Sequence, residues 1–548
     1  MAPASPSVPR VRWIEQRAAE RDTTGLAATL RRDRSPARRA AAARALGLIQ
    51  ERASVPALTG ALADPSAMVR REAAFALGLM GDSLAVRVVA LRWEGELDPG
   101  AREAMVTALG YMGAQAAAPS IVRALDAKRE PERWAAALAA ARIKSRSLIS
   151  PLTAHAEDPR TEMRWRVAYA LGRIQDRAGS PALRNLARDK TEQVRMFAAR
   201  SLGEIADSAS ADILAGLLRD SAWRVRVNAA QALGVLGARG KAGAVRALLG
   251  DASPHVRWEA ALTLGALMDT ASVAPLTRAL SDSSTGVVQG AAIALLQIQG
   301  EQAMAAVAPQ LDLLPGFMRS GLVEALGKVR GPMALQTLLA RAGDPTDPPE
   351  ATGAISGLAQ RRADSTVVAV SLRGLLPPSA NTPQRDFTVV SSAAEALGQL
   401  GDSASVPALA RLLGRVGTTE DADVRASAAS ALATIKTREA LAALATVRRD
   451  PERRIRETVC TALGLPPDSI GLVKNPLLRA EGVKSVPRTA LVHTDRGIVT
   501  IAFDHAHAPV TVENFVALAR AKYFDGIAFH RVVPNFVVQD GCPRGDGW

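Results

Sequence analysis

The sequence predicts an all-α superhelical solenoid of stacked helical hairpins, followed near its C-terminal end by a β-containing segment of different character. Three observations predict this. A motif returns about every 31 residues, the apolar content holds few rings, and helical periodicity gives way to strand-like alternation after Ala490.

The returning motif is an Asp, four or five residues, Val-Arg, then an Ala-rich run ending Ala-Leu-Gly, as in Asp64 to Gly78 and Asp220 to Gly234. Its register points are Gly47, Gly78, Gly110, Ala141, Gly172, Gly203, Gly234, Gly265, Leu296, Gly327, Gly357, Gly398, Ala433 and Gly464. Neighbouring points are 31, 32, 31, 31, 31, 31, 31, 31, 31, 30, 41, 35 and 31 residues apart. At roughly 1.5 Å per residue, such a period holds two helices of about ten residues each and two turns.

Positions minus nine, minus five, minus two and minus one from the register point fall on one broad side at 100° per residue; Val69, Val225, Val256, Ala73, Ala229 and Ala260 are examples. That side is the expected core face of the second helix. The first helix reads as Ser54 to Leu62, Ser180 to Ala187 and Ser272 to Leu280, each with an expected capping Ser and an early Pro. One hairpin cannot bury both its faces, so stability must come from stacking on neighbours.

This pattern resembles HEAT repeats in the short form with a D…VR…A.ALG consensus. The resemblance covers residues 22–465, about fourteen repeats, after an N-terminal segment at 1–21. It implies that the Asp and Arg join neighbouring units, which gives Arg70, Arg195, Arg226, Arg257, Arg425 and Arg456 a structural role in preference to ligand binding. The Pro-rich stretches Ala342 to Thr352 and Leu376 to Asp386 read as surface loops. A linker at 466–488 leads to the last segment, 489–548.

Composition narrows the function. Hydrophobic residues make up 48% and aromatics 3%, as suits helices packed through small side chains. The formal charge of +14 is spread along the chain, which makes nucleic acid an improbable partner. The two cysteines, Cys460 and Cys542, form neither a disulfide framework nor a metal set. The pair His505 and His507 lacks further ligands, so no metal and no cofactor are expected. No apolar run is long enough to span a bilayer, and no membrane role is expected. As written the chain reads as soluble and cytoplasmic; an upstream leader would make it periplasmic or exported.

One row of positions breaks the small-residue pattern. Seven residues before the register point stand Trp134, Trp165, Met196, Val227 and Trp258 in five consecutive repeats, near Arg164, Arg166, Arg224 and Arg257. Two readings stand side by side: packing between adjacent second helices, and a candidate partner-binding stripe of aromatic and Arg anchors.

From Ala490 the run LVHTDRGIVTIAF alternates around a D-R-G turn and predicts a hairpin. Val510 to Tyr523 reads as an amphipathic helix, and Phe524 to Gly541 returns to strand and turn. Three ordered blocks stand here: Thr494 to Ile498, Ala508 to Phe515, and Tyr523 to Gly541. On these blocks the segment resembles a cyclophilin, and the fold implied is a partial cyclophilin-like β-barrel.

The resemblance implies a peptidyl-prolyl cis-trans isomerase acting on proline-containing proteins or peptides. Arg531 would be the catalytic guanidinium, with His530, Val533, Phe536, Val537 and Gln539 binding substrate. Rotating an X-Pro amide means crossing a barrier of about 18–20 kcal/mol set by amide resonance, and no bond is made or cut. A guanidinium aimed at the prolyl nitrogen favours the twisted state, in which that nitrogen gains a lone pair. Two departures from the family stand out: Val537 where Met is common, and Cys542 where the family usually has Asp. Family members continue for about a hundred residues beyond the position of Trp548, so the barrel as given is expected not to close and to be inactive.

The leading expectation is therefore an isomerase tethered to a protein-binding solenoid that assists folding or assembly. A non-catalytic scaffold with a degenerate cyclophilin module and a nucleic-acid-binding solenoid are the alternatives.

Overall fold

The computed structural model describes residues 14, 17, 18, 22–378, 386–414, 419–450, 452–465, 487–495, 497–503, 509–527, 531–533 and 537–539. It forms two compact units, the first ending at Leu338 and the second starting at Leu339.

In the first unit, helical hairpins follow one another from helix Thr23–Arg32, whose Asp22 cap accepts from Gly25 N at 2.8 Å. The two helices of a hairpin are unequal, contrary to the even division expected from the period. First helices span six to ten residues, as in Ile149–Ala154 and Val86–Gly95, and second helices are mostly longer, as in Ala67–Met80 and Glu130–Ile143, although Met304–Leu313 and Gly316–Ala325 are equal at ten. The difference arises because a single 3₁₀ turn, such as Ser83–Ala85, takes up the residues ahead of the first helix.

The expected Ser caps are corrected by the same turn. Ser54 already has helical backbone angles and its hydroxyl caps nothing. In other repeats an Asp before the turn caps it: Asp82 Oδ1 takes Leu84 N at 2.8 Å, and Asp176 Oδ1 takes Ala178 N at 2.9 Å, whereas Glu51 ahead of Ser54 makes no such bond.

The core lies where second helices meet each other and their own first helices. Val69, Ala73, Ala76, Leu77, Val225, Ala229, Val256 and Ala260 are fully buried. Successive second helices approach so closely that a Cβ on Gly47 would stand 2.5 Å from Ala76 Cα, and one on Gly110 would stand 2.6 Å from Ala139 Cα. The Leu-Gly signature is thus a contact requirement: the register point of one repeat faces position minus two of the next.

Arginines lock the repeats in sequence. Arg39 holds Asp64, Arg164 holds Asp189, Arg226 holds Asp251 and Arg257 holds Asp282, each through two bonds of 2.6–3.1 Å. Arg70 holds Glu96 in the same way, while Asp98 caps the next helix through Ala101 N. The same guanidiniums also donate to the loop of their own repeat, as from Arg226 Nη1 to Asp220 O at 2.8 Å. Bidentate pairing of this kind fixes direction as well as distance.

The second unit carries second helices Pro348–Ala359, Phe387–Leu400, Thr419–Ile435 and Arg453–Leu463, with the ladder continued by Arg425 and Asp450. Arg456, buried, donates to Asp450 O at 2.8 Å. The stretch Ala342 to Thr352 is only partly the surface loop expected. Asp347 caps a helix that begins at Pro348, and Glu350, Ala351 and Thr352 are buried in it. Two prolines at the first helical positions cost nothing, since those amides need no partner. Of Leu376 to Asp386, residues 379–385 lie outside the described residues, as do the N-terminal segment up to Trp13, the linker from Pro466 to Val486, His505, His507 and Cys542.

The C-terminal segment has strand β1 (Thr489–Thr494) paired antiparallel with β2 (Gly497–Ala502), a helix Pro509–Arg520, and a second hairpin of β3 (Arg531–Val533) with β4 (Val537–Gln539). Leu491, Ile498 and Val499 of the first hairpin are more than half exposed.

Candidate functional site

The first candidate site is the β3–β4 hairpin. Its register sets Arg531 opposite Gln539, Val532 opposite Val538, and Val533 opposite Val537. The fold therefore brings together four of the six positions singled out in this segment. His530 and Phe536 lie outside the described residues.

The helix ahead of this hairpin is held by rings that sequence reading passed over. Phe515 stacks on Phe524 at 4.9 Å between centroids and meets Phe503 edge-on at 5.4 Å, while Val512 and Val516 are buried beside it. Thr494 Oγ1 closes the β1–β2 turn by donating to Gly497 O at 2.8 Å. The helix ends at Arg520, three residues before the expected Tyr523, where turn residues take over and Lys522 adopts φ 58°.

The second candidate site is the Trp row of the first unit. Trp134, Trp165, Met196 and Val227 are half-buried, and Trp258 is 37% exposed. Trp165 stacks on Phe197 of the next repeat at 5.0 Å and donates Nε1 to Glu162 Oε2 at 2.9 Å. Arg166 lies 4.2 Å from the Trp165 ring centre and 5.1 Å from that of Trp134. Trp258 leans on the place where Gly290 lacks a side chain, its Cδ1 2.9 Å from a Cβ built there.

Two of the four arginines named with this row stand elsewhere. Arg164 and Arg257 are committed to the ladder with Asp189 and Asp282, whereas Arg166 and Arg224 sit over indole rings. Reading one row of positions also missed Phe197, which stacks on Trp165 and meets Tyr169 edge-on, and a separate stacked pair, Trp223 and His255. Tyr169, Trp223 and His255 stand three to four residues from a row position on their own helices, whereas Phe197 directly follows Met196.

Two buried donors in this cluster, Trp134 Nε1 and Arg166 Nε, have no acceptor among the described residues. A buried donor left without an acceptor costs about 1–3 kcal/mol. Beside Trp258, burial pushes the Glu259 carboxyl up to about 7, against the opposing bond from Thr263 Oγ1 at 3.3 Å.

Among the described residues no cluster of His, Cys, Asp and Glu could hold a metal ion, and no helix is long and apolar enough to cross a membrane.

Comparison with known proteins finds two kinds of family along the chain. Residues 23–94, 149–234 and 214–297 match HEAT repeats, and 389–415 match the PBS lyase HEAT-like repeat. Residues 489–548 match the family described as cyclophilin type peptidyl-prolyl cis-trans isomerase/CLD. A peptidyl-prolyl cis-trans isomerase of Synechococcus elongatus is 45% identical over 58 residues, 11% of this chain and 40% of that protein. A putative bifunctional phosphatase/peptidyl-prolyl cis-trans isomerase of Streptococcus pyogenes is 46% identical over 56 residues, 10% of this chain and 12% of that one. The chain thus spans two fifths or less of these relatives. A crystal structure of importin β is 14% identical, covering 81% of this chain and 72% of its own, with a TM-score of 0.45.

Proposed function

We propose that this chain, HEAT repeats followed by a cyclophilin-type segment, belongs to a peptidyl-prolyl cis-trans isomerase whose repeats recruit the proteins it acts on. The observation that carries the reading is the ordered match at 489–548 together with the β3–β4 register, which sets Arg531 directly across from Gln539.

The chemistry asks for little more than position. Arg531 would donate to the prolyl nitrogen as the amide twists, while Gln539 holds the substrate backbone and Val533, Phe536 and Val537 enclose the ring. His530 would complete the wall beside the guanidinium. Each 1.36 kcal/mol or so of preference for the twisted amide over its planar forms gives about a tenfold rate. A planar guanidinium keeps its charge and its direction through the step, which a Lys ammonium would not. Recruitment by the repeats raises the local concentration of X-Pro bonds at the tethered site.

Exchange NMR on an Ala-Pro peptide with the full-length gene product tests this. Acceleration is expected, with a loss of about a hundredfold or more in Arg531→Ala at unchanged helical content. Equal rates for wild type and variant would reduce the segment to a peptide-gripping module.

A further inference from the structure

We propose that residues 466–481, which follow the last described helix of the repeats, are a terminal half-repeat that caps the array, with Glu481 as the acid that Arg456 holds. The proposal goes beyond the isomerase reading and does not depend on it.

Spacing along the ladder carries it. Arg39, Arg164, Arg195, Arg226, Arg257 and Arg425 each take both oxygens of an acid 25 residues further on. Arg70 and Arg102 reach acids 26 and 30 residues on, and Arg133 bonds to its own loop. The last arginine of the row is Arg456, and 25 residues beyond it stands Glu481. The same Glu follows the register point Gly464 by 17 residues, as Asp189, Asp220, Asp251 and Asp282 follow theirs.

Arg456 is also oriented as a rung. It lies on helix Arg453–Leu463, is 3% exposed and donates Nη1 to Asp450 O, six residues back, at 2.8 Å. Arg164, Arg195 and Arg226 make that same backward bond, to Asp158 O, Asp189 O and Asp220 O, while their Nε takes the acid of the next repeat. A guanidinium out of water needs an anion against it. At Arg164 and Arg425, the other two buried arginines of the row, that anion is the acid 25 residues on.

The segment carries a second signature of a first helix. Asp82-Ser83, Asp207-Ser208 and Asp402-Ser403 stand four and five residues after a register point and lead into the 3₁₀ turn ahead of such a helix. Asp468-Ser469 stands at the same distance from Gly464. From Asp468 to Glu481 is 13 residues, as from Asp207 to Asp220 and from Asp269 to Asp282. Leu472 and Leu478 fall at the positions where helix Val406–Leu413 buries Val406 and Leu412. Asn475 and Pro476 replace Leu409 and Ala410 in that comparison, so the two ends of the segment, not a continuous apolar face, hold the cap in place.

A cap of this kind shortens the tether. Past Glu481, residues 482–488 remain before β1 begins at Thr489, a reach of at most about 25 Å when fully extended. A protein held on the last repeats would then stand close to the C-terminal segment, which raises its local concentration there.

Limited trypsin digestion of the full chain tests this, because Lys474 falls inside the proposed cap and Lys484 beyond it. A synthetic peptide of residues 466–488 gives the cleavage rate of each site in an unfolded chain. In the protein, Lys474 should be cut at least about tenfold more slowly than in the peptide, and Lys484 much as in the peptide. Glu481→Ala should bring Lys474 to the peptide rate, whereas Glu481→Asp should keep the protection. Glu439→Gln, an exposed acid elsewhere, should change nothing. Circular dichroism of each variant separates a released cap from lost folding. The proposal fails if Lys474 is cut at the peptide rate in wild type, if Glu481→Ala leaves it protected, or if protection fades on dilution, which would assign the face around Arg456 to a second copy of the chain.

Discussion

Arg195 holds Asp220, 25 residues further along the chain, through two parallel bonds, Nε to Oδ2 at 2.7 Å and Nη2 to Oδ1 at 2.9 Å. The same guanidinium donates Nη1 to Asp189 O, and Asp220 Oδ1 caps Ala222 N. One arginine thereby closes its own loop and grips the next. Removing it leaves a mostly buried carboxylate without its ion-pair partner, at a cost of about 3 kcal/mol. Urea denaturation should show that loss in Arg195→Ala, and a smaller one in the double variant Arg195→Met, Asp220→Leu, where no charge is stranded.

Two glycines of opposite meaning test the packing of the second helices. A Cβ on Gly110 meets Ala139 at 2.6 Å, whereas one on Gly216, inside helix Ala211–Leu217, meets nothing within 4 Å. Gly110→Ala should therefore destabilise by about 1–3 kcal/mol through forced separation of two helices. Gly216→Ala should be neutral or stabilise by about 0.5–1 kcal/mol, since it only restricts the unfolded chain. Thermal melts of the two variants give the comparison.

Much of this could be read from the residues, for identifiable reasons. Val69, Ala73 and Leu77 announce a buried face because helical geometry alone puts them together. Ser54 misled because it is the last residue of a 3₁₀ turn, Arg52–Ser54, that composition does not show. Phe197 and Trp223 escaped because a row of equivalent positions follows the repeat, while ring contacts run diagonally between repeats. The match at 489–548 located Arg531 and Gln539 by family pattern, but their facing register depends on how many residues the connection between β3 and β4 contains, which alternation alone leaves open.

Acid should loosen the ladder. The Arg257 guanidinium beside Asp282 holds its carboxyl below the ordinary value of 3.8, against the effect of burial. Burial pushes Asp220 and Asp251 the other way, yet their arginine and amide partners bring both below that value as well. A carboxyl whose folded value is depressed adds stability that is complete above its unfolded value and is lost as pH falls through the folded one. Stability should thus drop below about pH 4, and less steeply in Asp282→Asn, as followed by urea midpoints across the acid range.

Glu259 should act with the opposite sign. Its carboxyl is pushed up to about 7 from an ordinary 4.5 because burial beside Trp258 disfavours the charged form, and the Thr263 hydroxyl offsets this only in part. Between those values the folded chain keeps a proton that the unfolded chain gives up, so stability falls as pH rises from about 4.5 to about 7. The full difference amounts to ~3 kcal/mol at neutral pH. Glu259→Gln keeps the shape and a partner for Thr263 but cannot ionise. At pH 8 it should be more stable than wild type, and near pH 4 the two should coincide. Urea midpoints of both proteins across that range decide it: parallel curves would mean that Glu259 is solvated in the folded chain and that the helix face around Trp258 is open to water.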